Sequence, residues 1–138
     1  VCLRKKHQNR HLNFCGHIGD GAILYLNNQS SEAYYASLPE NGEYVNQTYF
    51  VTDTNWQDHL RVSETGDEYE ACFAMTDGVT AMALSKDKPF NGFIDPILNY
   101  ISKNSEKNSK IALENMFCSD RALSISLDDK SICWFIKC

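Results

Sequence analysis

The alternation of apolar and polar positions divides this chain into a strand-rich first part and a helical part that ends in one more strand. Apolar residues at 1–3 and 12–15 flank a polar, basic segment, which predicts a hairpin with a solvated tip. Two further strand-like runs meet at Gly19-Asp20-Gly21, where the glycines allow a tight backbone path and Asp20 projects from the bend. Strands are also predicted at 32–38, where Tyr34 and Tyr35 point to opposite faces, and at 43–51.

The stretch 69–84 organises the predicted fold. Residues 71–75 are apolar or small, which predicts a short buried strand, and a helix is predicted over 79–84. Between them lies Thr76-Asp77-Gly78. A carboxylate at this place suits a metal ligand, because the strand holds the backbone and Gly78 lets the chain turn away. The alternative is a plain Asp-Gly turn without a ligand role.

The second part of the pattern is helical. A loop is predicted at 85–89, then an amphipathic helix to about residue 103, which begins either at an Asp95 cap with Pro96 first or near Asn91. A second helix over 109–118 is expected to bury Ile111, Leu113, Met116 and Phe117. A loop over 119–125, a turn with two aspartates and a buried strand to residue 136 complete the chain. Strands, two helices and a returning strand predict an α+β fold.

Composition limits the classes of function. The 138 residues form one domain or a piece of one, and 43% apolar with 22% charged residues is typical of a globular protein. The net charge of −5 and the lack of an apolar run near the ~20 residues of a membrane span predict neither a nucleic-acid nor a membrane partner. The basic segment 4–11 has no interleaved aromatic residues, so a charged hairpin tip is favoured over a nucleic-acid patch.

The six cysteines are an even number, which invites a disulfide interpretation. They form no Cys-x-x-Cys pair, however, and Cys72 and Cys133 lie in apolar runs where a free thiol packs as a small hydrophobic group. This usage predicts a reduced protein in the cytoplasm. The chain opens in the middle of a predicted strand, and we therefore expect it to be truncated there.

Three aspartates fall at strand ends or turns on separate elements, namely Asp20, Asp77, and either Asp128 or Asp129. A hard divalent cation needs several carboxylate oxygens that converge from different elements. Spacing alone does not establish convergence, so an ordinary α+β binding domain whose aspartates are turn residues is the alternative.

Four segments resemble, in the right order, the C-terminal half of a protein phosphatase 2C domain of the bacterial type: 19–21, 43–48, 73–79 and 128–132. The resemblance covers essentially all of the chain, 1–138. It implies an α-β-β-α sandwich, in which helices flank two antiparallel sheets. It also implies a metal-dependent serine/threonine phosphatase that takes a phosphorylated protein as substrate. Two or three Mn²⁺ or Mg²⁺ ions would lie at one end of the sandwich.

By the same resemblance, Asp77 and Asp128 match metal ligands and Asp20 matches a ligand of a third, weaker ion. Gly78, Asp129 and Ser131 would support those ligands. A metal-bridging water would attack phosphorus in line, without a covalent phosphoenzyme.

The chain also departs from the family pattern. Gly21 stands where serine is usual and Asp129 where asparagine is usual, so either Asp128 or Asp129 is the ligand. No segment matches the N-terminal motifs that carry the phosphate-binding arginine and the metal-bridging aspartate. We therefore expect the N-terminal half of the domain to be absent from this chain and to act as its partner. The alternative function is a catalytically inactive phosphatase-like module that binds or regulates a kinase or phosphoprotein.

Overall fold

The computed structural model describes residues 1–7, 10–27, 30–40, 48–66 and 68–137. The strands are β1 (Cys2–His7), β2 (Arg10–His17), β3 (Ala22–Asn27), β4 (Ser30–Ser37), β5 (Arg61–Thr65), β6 (Ala71–Met75), β7 (Leu84–Ser85), β8 (Lys88–Pro89) and β9 (Ile132–Ile136). The helices are α1 (Asp77–Ala83), α2 (Asn91–Lys103), α3 (Glu106–Phe117) and α4 (Asp120–Ile125), with a 3₁₀ turn at Trp56–His59.

The strands form two antiparallel sheets and a small hairpin. One sheet has three strands in the order β1-β2-β5, the other has four in the order β4-β3-β6-β9, and β7 pairs with β8. The predicted hairpin of β1 and β2 is confirmed. The predicted strand over 71–75 is confirmed with the same bounds. Antiparallel sheets with helices confirm the predicted α+β class.

The helices cover one face of the four-stranded sheet. Alternate residues of β3, such as Leu24 and Leu26, join the core on that side together with Phe73 of β6 and Ile94 of α2. Ile23, the intervening residue, faces the other way and packs towards the three-stranded sheet. Because β3 is buried on both faces, its sequence is a continuous apolar run.

The three-stranded sheet packs on the opposite face. Its inward residue Cys15 contacts a second cluster with Ile23, Tyr25 and Cys72 of the four-stranded sheet. The described layers are therefore helices, four strands and three strands. The prediction that Tyr34 and Tyr35 point to opposite faces is confirmed, because Tyr34 packs on the helix side and the Tyr35 ring lies 6.2 Å from the ring of Tyr25.

The predicted strand over 43–51 is wrong in its described part. Residues 41–47 lie outside the described residues, and 49–51 form no strand. A local turn forms instead, since the N–H of Phe50 donates to the Asp53 carboxylate (2.7 Å) and the N–H of Asp53 donates to the Phe50 carbonyl (3.0 Å). An aspartate side chain that bonds to nearby backbone competes with strand pairing.

Both predicted loops of the second part contain regular structure. Residues 84–89 form a hairpin, whose tip residues Lys86 and Asp87 have φ of 50° and 63°. A two-residue tip with positive φ matches the twist of paired strands. Residues 120–125 form α4, because the Ser119 hydroxyl caps the helix by accepting from the N–H of Ala122.

The helix boundaries also differ from those predicted. Of the two starts predicted for α2, the one near Asn91 is confirmed, and Pro96 lies inside the helix. Helix α3 begins at Glu106, three residues early, because Ser105 caps it. Ile111 was predicted to be buried, but it is 46% exposed.

One further boundary and one burial pattern differ from those predicted. Helix α1 begins at Asp77, two residues before its predicted start. The closing strand β9 exists as predicted, but it is an outer strand of its sheet, so Cys133 is exposed and its neighbours are half-buried. None of the helices in the described part of the chain is long and apolar enough to cross a membrane.

Candidate metal centre

Asp20 and Asp77 line the same cavity, which has a volume of about 280 Å³. Asp20 lies in the turn between β2 and β3, and Asp77 is the first residue of α1, separated from β6 by Thr76 alone. Ala22 at the start of β3 pairs with Met75 at the end of β6, so Asp20 and Asp77 lie at the same end of the four-stranded sheet. Asp77 is exposed and Asp20 is half-buried, which leaves both side chains accessible from the cavity.

The closing segment lies beside the end of β6. The Thr76 N–H donates to the Ser131 carbonyl at 3.1 Å, and the Ser131 N–H donates to the Thr76 hydroxyl at 3.0 Å. The same hydroxyl donates to the Asp129 carbonyl at 3.0 Å. Two segments more than fifty residues apart in the chain are thus joined next to Asp77.

Gly78 allows this approach because it has no side chain. A Cβ at this position would lie 2.6 Å from the Asp129 carbonyl oxygen and 2.8 Å from that of Asp128. The Gly78 N–H also donates to Oδ1 of Asp77 at 2.8 Å, which orients that carboxylate. The resemblance implied a supporting role for Gly78, and the contacts indicate how it could act.

The carboxylate of Asp128 is engaged within its own turn. Its Oδ2 accepts from the Ser126 hydroxyl at 3.0 Å. The Lys130 ammonium donates to the Asp128 carbonyl at 3.0 Å and to the Ser126 carbonyl at 2.7 Å. The side chains of Asp128, Asp129 and Ser131 are exposed, and none of them lines the cavity of Asp20 and Asp77. The structure therefore brings two of the three predicted aspartates into one cavity and the backbone of the third close by.

The segment 43–48 carried part of the resemblance, and its residues up to 47 lie outside the described residues. Thr48 is described and lies against the turn that carries Asp20. A Cβ on Gly19 would lie 3.3 Å from the Thr48 hydroxyl oxygen and from the Tyr49 carbonyl, and Gly19 has a φ of 92°. The positive φ favours glycine at position 19, and a Cβ there would also be tightly packed.

A half-buried arginine holds the same turn, and no pattern in the sequence predicted it. Arg61 donates to the Gly19 carbonyl at 2.9 Å and to the Glu40 carboxylate at 2.7 Å. The Glu40 N–H also donates to the Gly19 carbonyl, at 3.1 Å. No local pattern could have identified Arg61, because its partners come from residues about twenty and forty positions away.

His17 forms part of the cavity wall as a neutral imidazole. Burial, followed by the positive charge of Arg61, lowers the pKa of His17 from 6.5 to about 4. Its Nδ1 lies 2.8 Å from the Ser37 hydroxyl and 3.2 Å from the Arg61 guanidinium. A guanidinium donates only, so Nδ1 accepts from it. A neutral ring adds no positive charge beside Asp20 at neutral pH.

The donor set fits a hard divalent cation. Mg²⁺ is commonly bound by one or two carboxylates, with water and substrate phosphate in the remaining positions. Asp20 and Asp77 line one accessible cavity and supply such a pair. Among residues 1–7, 10–27, 30–40, 48–66 and 68–137, no group of three or more histidines, cysteines, aspartates or glutamates could hold a metal ion. The described residues therefore fit a site in which water and substrate phosphate occupy the remaining coordination positions of the ion, and not a site filled by protein ligands alone.

Comparison with known proteins identifies the family of the chain. The family pattern described as Protein phosphatase 2C matches residues 4–129, a span that includes both cavity aspartates together with Asp128 and Asp129. No curated protein and no solved structure matches the chain. The family acts on phosphoprotein substrates and generally depends on Mn²⁺ or Mg²⁺. The chain belongs to the protein phosphatase 2C family.

Proposed function

We propose that this chain supplies part of the metal centre of a serine/threonine phosphoprotein phosphatase. Asp20 and Asp77 would hold Mn²⁺ or Mg²⁺. The observation that carries the proposal is that these two carboxylates, 57 residues apart by their positions in the sequence, line one cavity at the end of paired strands. The family match supports a phosphatase, and a carboxylate pair is the donor chemistry that these cations prefer.

Asp128 is proposed as a further ligand. Its backbone already lies against Gly78, the residue after Asp77. Its carboxylate would have to release the Ser126 hydroxyl and turn towards the cavity. Asp129 and Ser131 would hold the closing turn in place through their backbone bonds with Thr76.

The bound ions would supply two things, charge neutralisation at the phosphoryl oxygens and acidification of the attacking water. The residues of the chain would hold the site in a fixed geometry. The Gly78 N–H orients the Asp77 carboxylate, and Arg61 holds the carbonyl next to Asp20. Neutral His17 lines the cavity without adding a positive charge that would compete with the bound ions for the substrate phosphate.

The remaining ligands and the phosphate-binding arginine would come from the N-terminal half of the domain, on the same or another chain. We propose a phosphorylated Ser/Thr protein as substrate and a cytoplasmic signalling role. Two described carboxylates are too few for a binuclear centre, because each ion needs several oxygen ligands. The chain alone should therefore bind Mn²⁺ weakly.

A second candidate function is an inactive module that binds a kinase or phosphoprotein. It is favoured by one observation, namely that the described residues contain no group of three or more potential metal ligands. The two functions differ in a measurable way. An active half-site gains metal affinity when the other half of the domain is added, and an inactive module does not.

The first experiment compares Asp77→Asn with the matched control Asp87→Asn. Asp87 is exposed at the β7-β8 turn, and asparagine tolerates its positive φ. In the presence of the N-terminal half, Asp77→Asn should weaken Mn²⁺ binding at least about tenfold in titration calorimetry, because a direct ligand is lost. Hydrolysis of a phosphopeptide should fall at least about a hundredfold.

Asp87→Asn should change neither quantity. If neither the chain nor the completed domain binds Mn²⁺ at millimolar concentration, the phosphatase proposal is wrong and the inactive module is supported. Equal losses in the two variants would mean that net charge, and not ligation by Asp77, sets the affinity.

A further inference from the structure

Three thiols meet between the two sheets. Cys2 of β1 and Cys15 of β2 face Cys72 of β6 in the cluster that the two sheets share. Cys15 and Cys72 are each 2% exposed, whereas Cys2 is half-buried and can be reached from solvent. All three are free thiols. The metal centre described above uses none of them.

The strand register places Cys2 directly opposite Cys15. The preceding pair, Val1 and Gly16, exchanges two backbone hydrogen bonds: the Val1 amino group donates to the Gly16 carbonyl at 2.6 Å, and the Gly16 N–H donates to the Val1 carbonyl at 2.8 Å. Cys2 and Cys15 therefore form the next, non-hydrogen-bonded pair, in which opposed Cα atoms lie about 4.5 Å apart and the side chains are closest. A disulfide spans Cα separations of about 4.4 to 6.8 Å. The two sulfurs can thus be joined without moving either strand.

The environment makes one of the thiols a nucleophile. Hydrogen bonds donated by Cys15 and then by Cys72 lower the pKa of the Cys2 thiol well below its ordinary value of 9.0. The hydrogen bond with Cys2 and burial raise the pKa of Cys15 and of Cys72. These shifts favour the thiolate form at the accessible Cys2 and the protonated form at Cys15 and Cys72. This is the arrangement in which a thiolate reacts selectively with oxidants.

We propose that Cys2 and Cys15 form an oxidation site that converts a dithiol to a cross-strand disulfide on reaction with a hydroperoxide. An oxidation site is favoured over a metal site at these three thiols, since they do not form a group that could hold a metal ion among the described residues. Cys2 is the residue that the oxidant reaches, and Cys15 is the residue that resolves the intermediate. The site does not depend on the proposed phosphatase function.

The chemistry proceeds in two balanced steps. First, the Cys2 thiolate attacks one peroxide oxygen, so that an S–O bond forms, the O–O bond breaks and the departing oxygen takes a proton to leave as alcohol or water. Next, Cys15 loses its proton and attacks the Cys2 sulfur, so that the S–S bond forms and the S–O bond breaks. The released hydroxide takes a proton and leaves as water. The two thiols together lose two electrons and two protons, which reduce the hydroperoxide.

The experiment uses hydrogen peroxide as the probe and peptide mapping as the readout. Trypsin cuts after Arg4, Arg10, Arg61 and Lys86, so Cys2, Cys15 and Cys72 fall in separate peptides, 1–4, 11–61 and 62–86. After treatment of the whole chain and blocking of the remaining thiols, non-reducing mass spectrometry should detect peptide 1–4 linked to peptide 11–61. Reduction with dithiothreitol should release both.

Variants establish which sulfur reacts. Cys2→Ser should abolish the linked peptide and leave Cys15 alkylatable after peroxide, whereas Cys118→Ser, which removes an exposed thiol elsewhere, should leave the link unchanged. Circular dichroism of each variant checks that it is folded. Cys15→Ser gives a second test that keeps Cys2, the solvent-facing thiol, and it should also abolish the linked peptide. A link from peptide 1–4 to peptide 62–86, faster oxidation of Cys118 than of Cys2, or the absence of any link in the folded wild-type chain would each overturn the proposal.

Discussion

The two faces of the four-stranded sheet are built from the same strands but bury different chemistry. Among the described residues, the hydrophobic cluster on the helix side has sixteen buried members, all Ala, Val, Leu, Ile, Met or Phe, and Ser109 of α3 is buried there as well. The hydrophobic cluster between the two sheets has four buried members, of which two are cysteines and one is a tyrosine. Buried polar side chains Asn13, His17 and Thr65 belong to the three-stranded sheet. One face thus provides stability, and the other holds the titratable and nucleophilic groups.

On the polar face, the side of the four-stranded sheet that faces the three-stranded sheet, hydrogen bonds satisfy only part of the buried polar groups. The Tyr25 hydroxyl and Asn13 Oδ1 are buried without a hydrogen-bond partner among the described residues. Burial of an unpaired polar group destabilises a fold, whereas a hydrogen-bonded one is nearly neutral. The Asn13 amide donates to the Thr65 hydroxyl at 3.3 Å and to the Gly66 carbonyl at 3.2 Å, and His17 pairs with Ser37. The cavity of Asp20 and Asp77, whose wall includes His17, lies at one end of this same face.

The largest expected effect comes from the helix side. Phe73 is fully buried among the helices, so Phe73→Ala should lower the free energy of unfolding by about 3–5 kcal/mol through lost burial and a new cavity. Urea denaturation followed by circular dichroism measures it. Leu127→Ala is the control, because Leu127 is 87% exposed and its loss should change stability by less than about 0.5 kcal/mol. A loss below about 1 kcal/mol for Phe73→Ala would mean that the helix side is not the main stabilising core.

The next largest effect is a pH-dependent loss of stability that arises from His17 on the polar face. His17 has a lower pKa in the folded chain, about 4, than the 6.5 of an unperturbed histidine, so the unfolded chain binds more protons between these values. Stability from neutral His17 is therefore fully present above about pH 6.5 and is lost as the pH falls towards 4. The loss should reach roughly 3 kcal/mol.

His17→Gln removes this titration while it keeps a side chain that can accept from Ser37. We expect the wild-type chain to lose more stability than the variant between pH 7 and pH 4.5, in denaturant titrations at both values. Parallel pH profiles of the two chains would show that His17 is not held neutral.

The smallest expected effect is the loss of stability caused by a matched pair of substitutions, one on each face of the four-stranded sheet. Ile23 is 4% exposed on the polar side, and Ile94 is fully buried on the helix side. If burial alone sets the cost, Ile23→Val and Ile94→Val should each lower the free energy of unfolding by about 0.5–1.5 kcal/mol. A cost near zero for Ile23→Val alone would show that the space between the sheets is loosely packed.

Local pattern predicted the elements that carry strong periodicity. The strand over 71–75 and the helix with Ile94, Ile97, Leu98 and Ile101 were both found, because each buries most of its apolar positions. Helix α4 was missed because only Ala122 of its six residues is buried, so it has no apolar stripe. The β7-β8 hairpin was missed because its turn residues, Lys86 and Asp87, are not the usual glycine or asparagine.

The candidate site was predicted residue by residue but not as an arrangement. Asp20 and Asp77 each follow from an Asp-Gly pair at a strand end, and the family resemblance gave them a role that remains a prediction. Their meeting depends on the pairing of β3 with β6. Arg61 and His17 carried no recognisable signal, since their significance lies in contacts with the carbonyl of Gly19 and the hydroxyl of Ser37.

The amino-acid sequence alone therefore determined the main strands and one long helix, the α+β class and the membership of a phosphatase family, and it marked Asp20 and Asp77 as candidate ligands. The tertiary structure decided which side chains meet. Periodicity reports whether each residue is buried, because burial is a property of a local face. The neighbours of Asp20, Cys2 and Arg61 come from distant segments, and strand register brings them together, which is a property of the whole sheet.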